Sequence, residues 1–120
     1  MKKRFTDIHI WKKPWFYKLD PFDKLMFMYI KDECDEVGVW EPNFERAESD
    51  TKTKIDWDDF LKKCNGNIKI LNNNKWWLVK FCNFQYKKLD EKSNSPTTKS
   101  YIDKLKYHKL WDLYLEMEDT

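Results

Sequence analysis

Side chains able to do chemistry are few in this sequence, and their spacing does not suit it. His9 and His108 are the only histidines, and neither stands in an HExxH pattern or another metal-ligand spacing. Each reads as a solvated or internally satisfied ring. Cys34, Cys64 and Cys82 form an odd, widely separated set with no CxxC pair. That pattern points away from a zinc site or a disulfide framework and predicts three reduced, mostly buried thiols. Gly38 and Gly66 are isolated, and two such glycines cannot build a phosphate-cradling loop. Asp32, Glu33, Asp35 and Glu36 lack the alternating oxygen ligands of a calcium loop and read as the solvated end of a helix. The chain is therefore expected not to be an enzyme and to use no cofactor, no metal and no small-molecule substrate.

What remains is charge and aromatic surface. The net charge of +2 hides a strong segregation: residues 21–60 hold five basic and twelve acidic side chains, residues 61–110 twelve and three. The basic half is where polyanion contacts are expected. The candidate nucleic-acid-binding residues are Lys62, Lys63, Lys69, Asn72, Asn73, Asn74, Lys75, Lys87 and Lys88. Lysines give sequence-independent, salt-sensitive phosphate contacts, and asparagines reach phosphates or base edges. Seven Trp, eight Phe and six Tyr each bury roughly 150–250 Å², which argues for a firm core and against disorder. Trp11, Trp15, Phe16 and Tyr17 are too many rings for one short helix to bury. Together with Trp77 they are the candidate protein interface. Adjacent Trp76 and Trp77 face opposite sides of a strand, so one belongs to the core and the other is exposed or covered by a further element, in preference to stacking on bases.

These residues must be positioned by short elements. A first helix from Asp7 toward Leu19 is broken by Pro14. Asp20 as N-cap, Pro21 at the first position and Asp23 in the first turn open a clear amphipathic helix through Leu25, Met26, Tyr29 and Ile30, running to about Glu36. Val37–Pro42 reads as a turn and a very short strand. Asn43 caps a short acidic helix, and Asp56 caps another that Asn65-Gly66 ends. Ile68, Ile70, Trp76 and Leu78 with the Asn72–Asn74 turn read as a hairpin. Phe81–Tyr86 continues it as a strand end or a helical turn. The expected division is a domain over 1–86, a linker over 87–100, and one helix over 101–120 carrying the acidic tail Glu116–Asp119. The fold class is α+β, mainly α: a winged helix-turn-helix with a small antiparallel sheet and an additional C-terminal helix. Asp56, Asp58 and Asp59 crowd the end of the helix that would enter a major groove, and their charge opposes phosphate. Any DNA contact is therefore expected away from that end: at Lys62 and Lys63 where the helix closes, at the hairpin turn as a wing, and at Lys87 and Lys88 beyond it.

Arg4-Phe5-Thr6-Asp7, Trp11-Lys12-Lys13-Pro14-Trp15-Phe16, Leu19-Asp20-Pro21, Gly38-Val39-Trp40, Lys75-Trp76-Trp77, Lys80-Phe81 and Phe84-Gln85-Tyr86 together resemble a phage and prophage replication-protein family. In that family this region is similar to the N-terminal winged-helix domain of DnaD-like replication-initiation proteins. The family has a glycine after the Gln-Tyr pair, where this chain carries Lys87. The resemblance implies a non-catalytic DNA-replication protein that binds DNA weakly through the wing and associates with itself or with a phage or host protein. Alternatives are an adaptor or inhibitor of a host factor, such as a defence enzyme, and a transcriptional regulator. With no apolar leader after Met1-Lys2-Lys3-Arg4 and no membrane-length apolar run, the expected location is the cytoplasm of a bacterial host cell, away from membranes.

Overall fold

The computed structural model describes residues 3–118. Met1, Lys2 and Asp119 of the acidic tail lie outside them. A 3-10 turn over Ile10–Lys12 leads to α1, Pro14–Tyr17. Lys13 is extended (φ −79°, ψ 125°), as the residue before a proline tends to be, and this splits the expected first helix in two. α2 spans Pro21–Glu33, with the Asp20 carboxylate accepting from Asp23 N–H. It ends three residues short of Glu36 because Arg4 closes it. The Arg4 guanidinium donates to the carbonyls of Lys31, Asp32, Cys34 and Asp35 at 2.6–3.1 Å, which satisfies the helix's orphan acceptors.

β1, Val39–Trp40, follows Gly38, whose φ is 90° and where a Cβ would lie 2.6 Å from the Phe81 Cβ. Only glycine fits there. α3 covers Phe44–Thr51 and α4 Trp57–Lys63, capped by Asn43 and Asp56. β2, Ile68–Ile70, and β3, Trp76–Leu78, complete a three-stranded antiparallel sheet in the order β1-β3-β2. α5 is Phe81–Tyr86, α6 Pro96–Tyr107 and α7 Trp111–Glu118. The protein is mainly helical with a small antiparallel sheet.

The sheet separates two cores, and strand alternation assigns residues to them. Trp40 and its cross-strand partner Trp76 face the first core, with Phe16, Met26, Ile30 and Phe60. Val39 and its partner Trp77 face the second, with Cys82, Leu105, Leu110 and Tyr114. The second core is supplied by α5, α6 and α7.

Here the structure differs from the expected linker and single terminal helix. Ser95 caps α6 by accepting from Thr98 N–H, and Pro96 takes its first position, so the helix starts inside the supposed linker. Leu89 is buried, and its N–H donates to the Tyr114 hydroxyl at 2.9 Å, which ties the remaining loop down. The terminal helix is two helices with a corner at His108–Leu110. No described helix is long and apolar enough to cross a membrane.

Candidate nucleic-acid interface

The β2–β3 turn is held by its own backbone. Leu71 N–H donates to Lys75 O at 2.7 Å, Asn74 N–H to Leu71 O at 2.9 Å, and Lys75 N–H to Asn73 Oδ1 at 3.1 Å. Asn74 takes φ 66°, a conformation asparagine tolerates. Lys69 pairs across the strands with Trp77. Because the Trp77 ring is sealed in the second core, Lys69 emerges on the same side of the sheet as α6 and α7.

Two grooves flank this turn. One lies toward α4 and is lined by Phe44, Trp57, Leu61 and Trp76, with Glu41 and Asp58 on its rim. Its aromatic floor is continuous: Phe44 and Trp57 centroids are 4.6 Å apart, and Trp57 and Trp76 centroids 5.8 Å. The other, a notch of about 510 Å³, lies toward the α6–α7 corner. Lys69, Lys75 and Lys109 line it with Asn72, Asn73 and Tyr107, and no carboxylate does. Like charges gathered around a concave surface with no counter-charge raise the local anion concentration.

The structure gathers Lys69, Asn72, Asn73 and Lys75 at this notch, while Asn74 lines the α4 groove. Lys62, Lys87 and Lys88 are exposed elsewhere. Lys63 is committed internally. Its ammonium lies 2.8 Å from Asp59, 3.4 Å from Asp23 and 4.0 Å from Asp20. The Asp59 hydrogen bond, ahead of that from Asp23, raises its pKa above the ordinary lysine value. The buried Asp23 carboxyl is itself pushed up by desolvation, with Asp20 adding to the effect, in spite of Lys63. An ammonium serving three carboxylates is poorly placed to take a phosphate.

Two expected interface residues are corrected. Phe16 and Trp77 are each 0% exposed. Phe16 is held edge-on by Trp11 and Trp15, and Trp77 is capped by α6 and α7, its indole donating to Val37 O at 3.1 Å. Trp15 is half-buried against Phe27. Trp11 and Tyr17 do reach the surface, at 57% and 49% exposure, as do Phe22 and Leu25 of α2. Lys24 Nζ sits 5.4 Å over the Trp11 ring.

The remaining chemistry-bearing groups are structural. His108 Nε2 lies 2.8 Å from Asp35 Oδ2, and Asp35 Oδ1 accepts from Val37 and Val39 N–H at 3.0 Å. All three cysteines are buried. Burial pushes the Cys34 and Cys64 thiols up to about 12. Among the described residues no group of three His, Cys, Asp or Glu side chains is placed to hold a metal ion.

Sequence reasoning missed Tyr107 and Lys109. The signal was a basic run, Lys104 to Lys109, with one tyrosine in it, hidden inside what read as a continuous helix. The chain matches no family model, no curated protein and no solved structure.

Proposed function

We propose that this chain is a non-catalytic nucleic-acid-binding protein on a winged-helix scaffold, serving phage or prophage DNA replication. Three helices, α2 to α4, are interrupted after the first by a tiny strand and followed by a hairpin, with sheet order β1-β3-β2. That order supports the winged-helix reading, in which the β2–β3 turn is the wing. The replication context rests on the sequence resemblance. The observation that carries the binding mode is the contrast around the turn: a lysine-lined, carboxylate-free notch on one side, an acid-rimmed groove beside α4 on the other. Contact through the wing is therefore sequence-independent, made to phosphates, while α4 stays out of the major groove.

Exposed Trp11 and Tyr17, with Phe22 and Leu25, favour a second activity: association with another copy or with a phage or host protein. If that surface acts alone, the protein is an adaptor or inhibitor of a host factor.

Fluorescence anisotropy with labelled DNA at roughly 50 and 200 mM salt, the window where phosphate contacts show, tests the binding mode. Affinity falling steeply with salt, and lost in a Lys69→Glu/Lys75→Glu variant, supports it. No binding at the lower salt, or binding indifferent to the two reversals, refutes it and leaves protein association as the function.

A further inference from the structure

The α6–α7 corner is built at a cost its sequence could have avoided. α6 closes with Lys109 N–H donating to Lys106 O at 2.9 Å and Leu110 N–H to Leu105 O at 2.8 Å, the two bonds of a Schellman motif. The left-handed residue in that motif is usually glycine, because a Cβ is penalised there. Here it is Lys109, at φ 61°. This lysine is exposed and lines the notch together with Lys69 and Lys75. Lys52 and Lys87 also take positive φ; what sets Lys109 apart is that its side chain lines the notch beside Lys69 and Lys75.

The corner is also rigidly presented. The His108–Asp35 contact ties it to the end of α2 and the start of β1, so Tyr107 and Lys109 project from a fixed backbone. Tyr107 is 71% exposed, with Lys104 Nζ 5.6 Å from its ring centroid. It is the aromatic side chain among the notch residues, since Trp76 and Trp77 are both buried. A neighbouring hollow shares Tyr107 and Lys75 with the notch but is lined by Glu33, Asp35, Glu41 and Asp103, carboxylates that repel phosphate and leave the notch as the favoured side. An exposed ring set among lysines is the arrangement that holds an unpaired strand, whose bases are free to turn outward and stack. A duplex keeps its bases stacked on one another, out of reach of one tyrosine.

Resting on the wing reading above, we infer that the notch takes single-stranded nucleic acid, with Lys69, Lys75 and Lys109 meeting its phosphates and Tyr107 stacking one base. The test is anisotropy of the full chain with a labelled oligothymidylate of about 15 nucleotides, against a labelled duplex of similar charge. The wild type binds the single strand more tightly. Tyr107→Ala weakens single-strand binding roughly 5- to 150-fold, the range for one lost base stack. It leaves the duplex within about twofold, and Tyr107→Phe restores the strand affinity. Lys109→Gly weakens binding and makes the salt slope shallower by about 1. Its melting temperature holds or rises by roughly 2–4 °C, because the glycine relieves the corner. Wild-type affinity in Tyr107→Ala and Lys109→Gly, alongside loss in Lys69→Glu/Lys75→Glu, overturns this inference and leaves the wing reading standing. Equal or tighter duplex binding that ignores Tyr107 overturns it as well. An absence of any DNA binding removes both.

Discussion

The two grooves beside the β2–β3 turn share Lys75, Ile70 and Asn73, yet they are suited to opposite things. The one against α4 has the richer aromatic lining, and on ring count alone it is the better stacking surface. Its rings, however, hold one another: Trp57 touches Trp40, Phe44, Phe60 and Trp76 within 6.1 Å between centroids. Of the acids at its rim, Asp58 stands in the first turn of α4, where the helix dipole favours a carboxylate. The notch against α6 and α7 has one exposed ring and three lysines, with no carboxylate in its own lining. Aromatic density therefore marks the core here, and the lysine-lined surface is the one proposed for contact.

The largest effect that separates the two grooves is on stability. Trp57→Ala removes the centre of the α4-side ring cluster and is expected to lower unfolding free energy by about 3–5 kcal/mol, read from urea unfolding. Single-strand affinity of the folded protein stays within about twofold, and a loss comparable to that from a turn lysine would merge the two grooves into one site. Trp57→Phe costs much less, because the indole N–H it removes is buried without a hydrogen-bond partner, so little bonding goes with it.

An effect of opposite sign is expected at the loop that leads to the C-terminal helices. Lys87 sits at φ 56°, ψ −143°, a region open almost only to glycine, and the resembled family has glycine there. Lys87→Gly should raise stability by about 1 kcal/mol, seen as a higher urea midpoint. A drop instead would mean that the Lys87 side chain holds the turn.

The smallest separable effect is electrostatic. Asp58→Asn removes an acid from the α4 groove and costs up to about 0.5 kcal/mol of dipole stabilisation. It raises DNA affinity by no more than about twofold, because the proposed strand path lies in the notch on the other side of the turn. The first core, which holds Cys34 and Cys64, also sets a pH limit. Burial holds the Cys34 and Cys64 thiols protonated well above their ordinary value of 9.0. The native state keeps protons that the unfolded chain releases, so stability is full below about pH 9 and falls as pH rises toward 12. A urea midpoint unchanged between about pH 7 and 10 would contradict that burial.

The sequence made the first core legible because its signals are local. Asp20-Pro21 and Asp56 announce their helices within one turn, and the period-2 pattern of the hairpin separates Trp76 from Trp77. The second core was not legible for physical reasons. Its helix α6 begins in polar residues, where Ser95-Pro96 is a start signal with no apolar stripe yet to confirm it. Its corner uses Lys109 where the rule for a helix end asks for glycine. Arg4, which ends α2 from 27 to 31 residues away, is a long-range device that no local pattern announces. The notch inherits this. Lys69, Asn72, Asn73 and Lys75 could be found from the turn, whereas Tyr107 and Lys109 join them only once α7 folds back.

The central claim is that phosphates meet the wing-side notch, and lysine footprinting tests it most directly. The protein is acetylated with and without excess oligothymidylate at low salt, and each lysine's reactivity is read by mass spectrometry. The account predicts protection of Lys69, Lys75 and Lys109, with Lys52 at the acidic end of α3 unchanged. Turn and corner lysines that stay as reactive as Lys52 while the DNA is bound would contradict it.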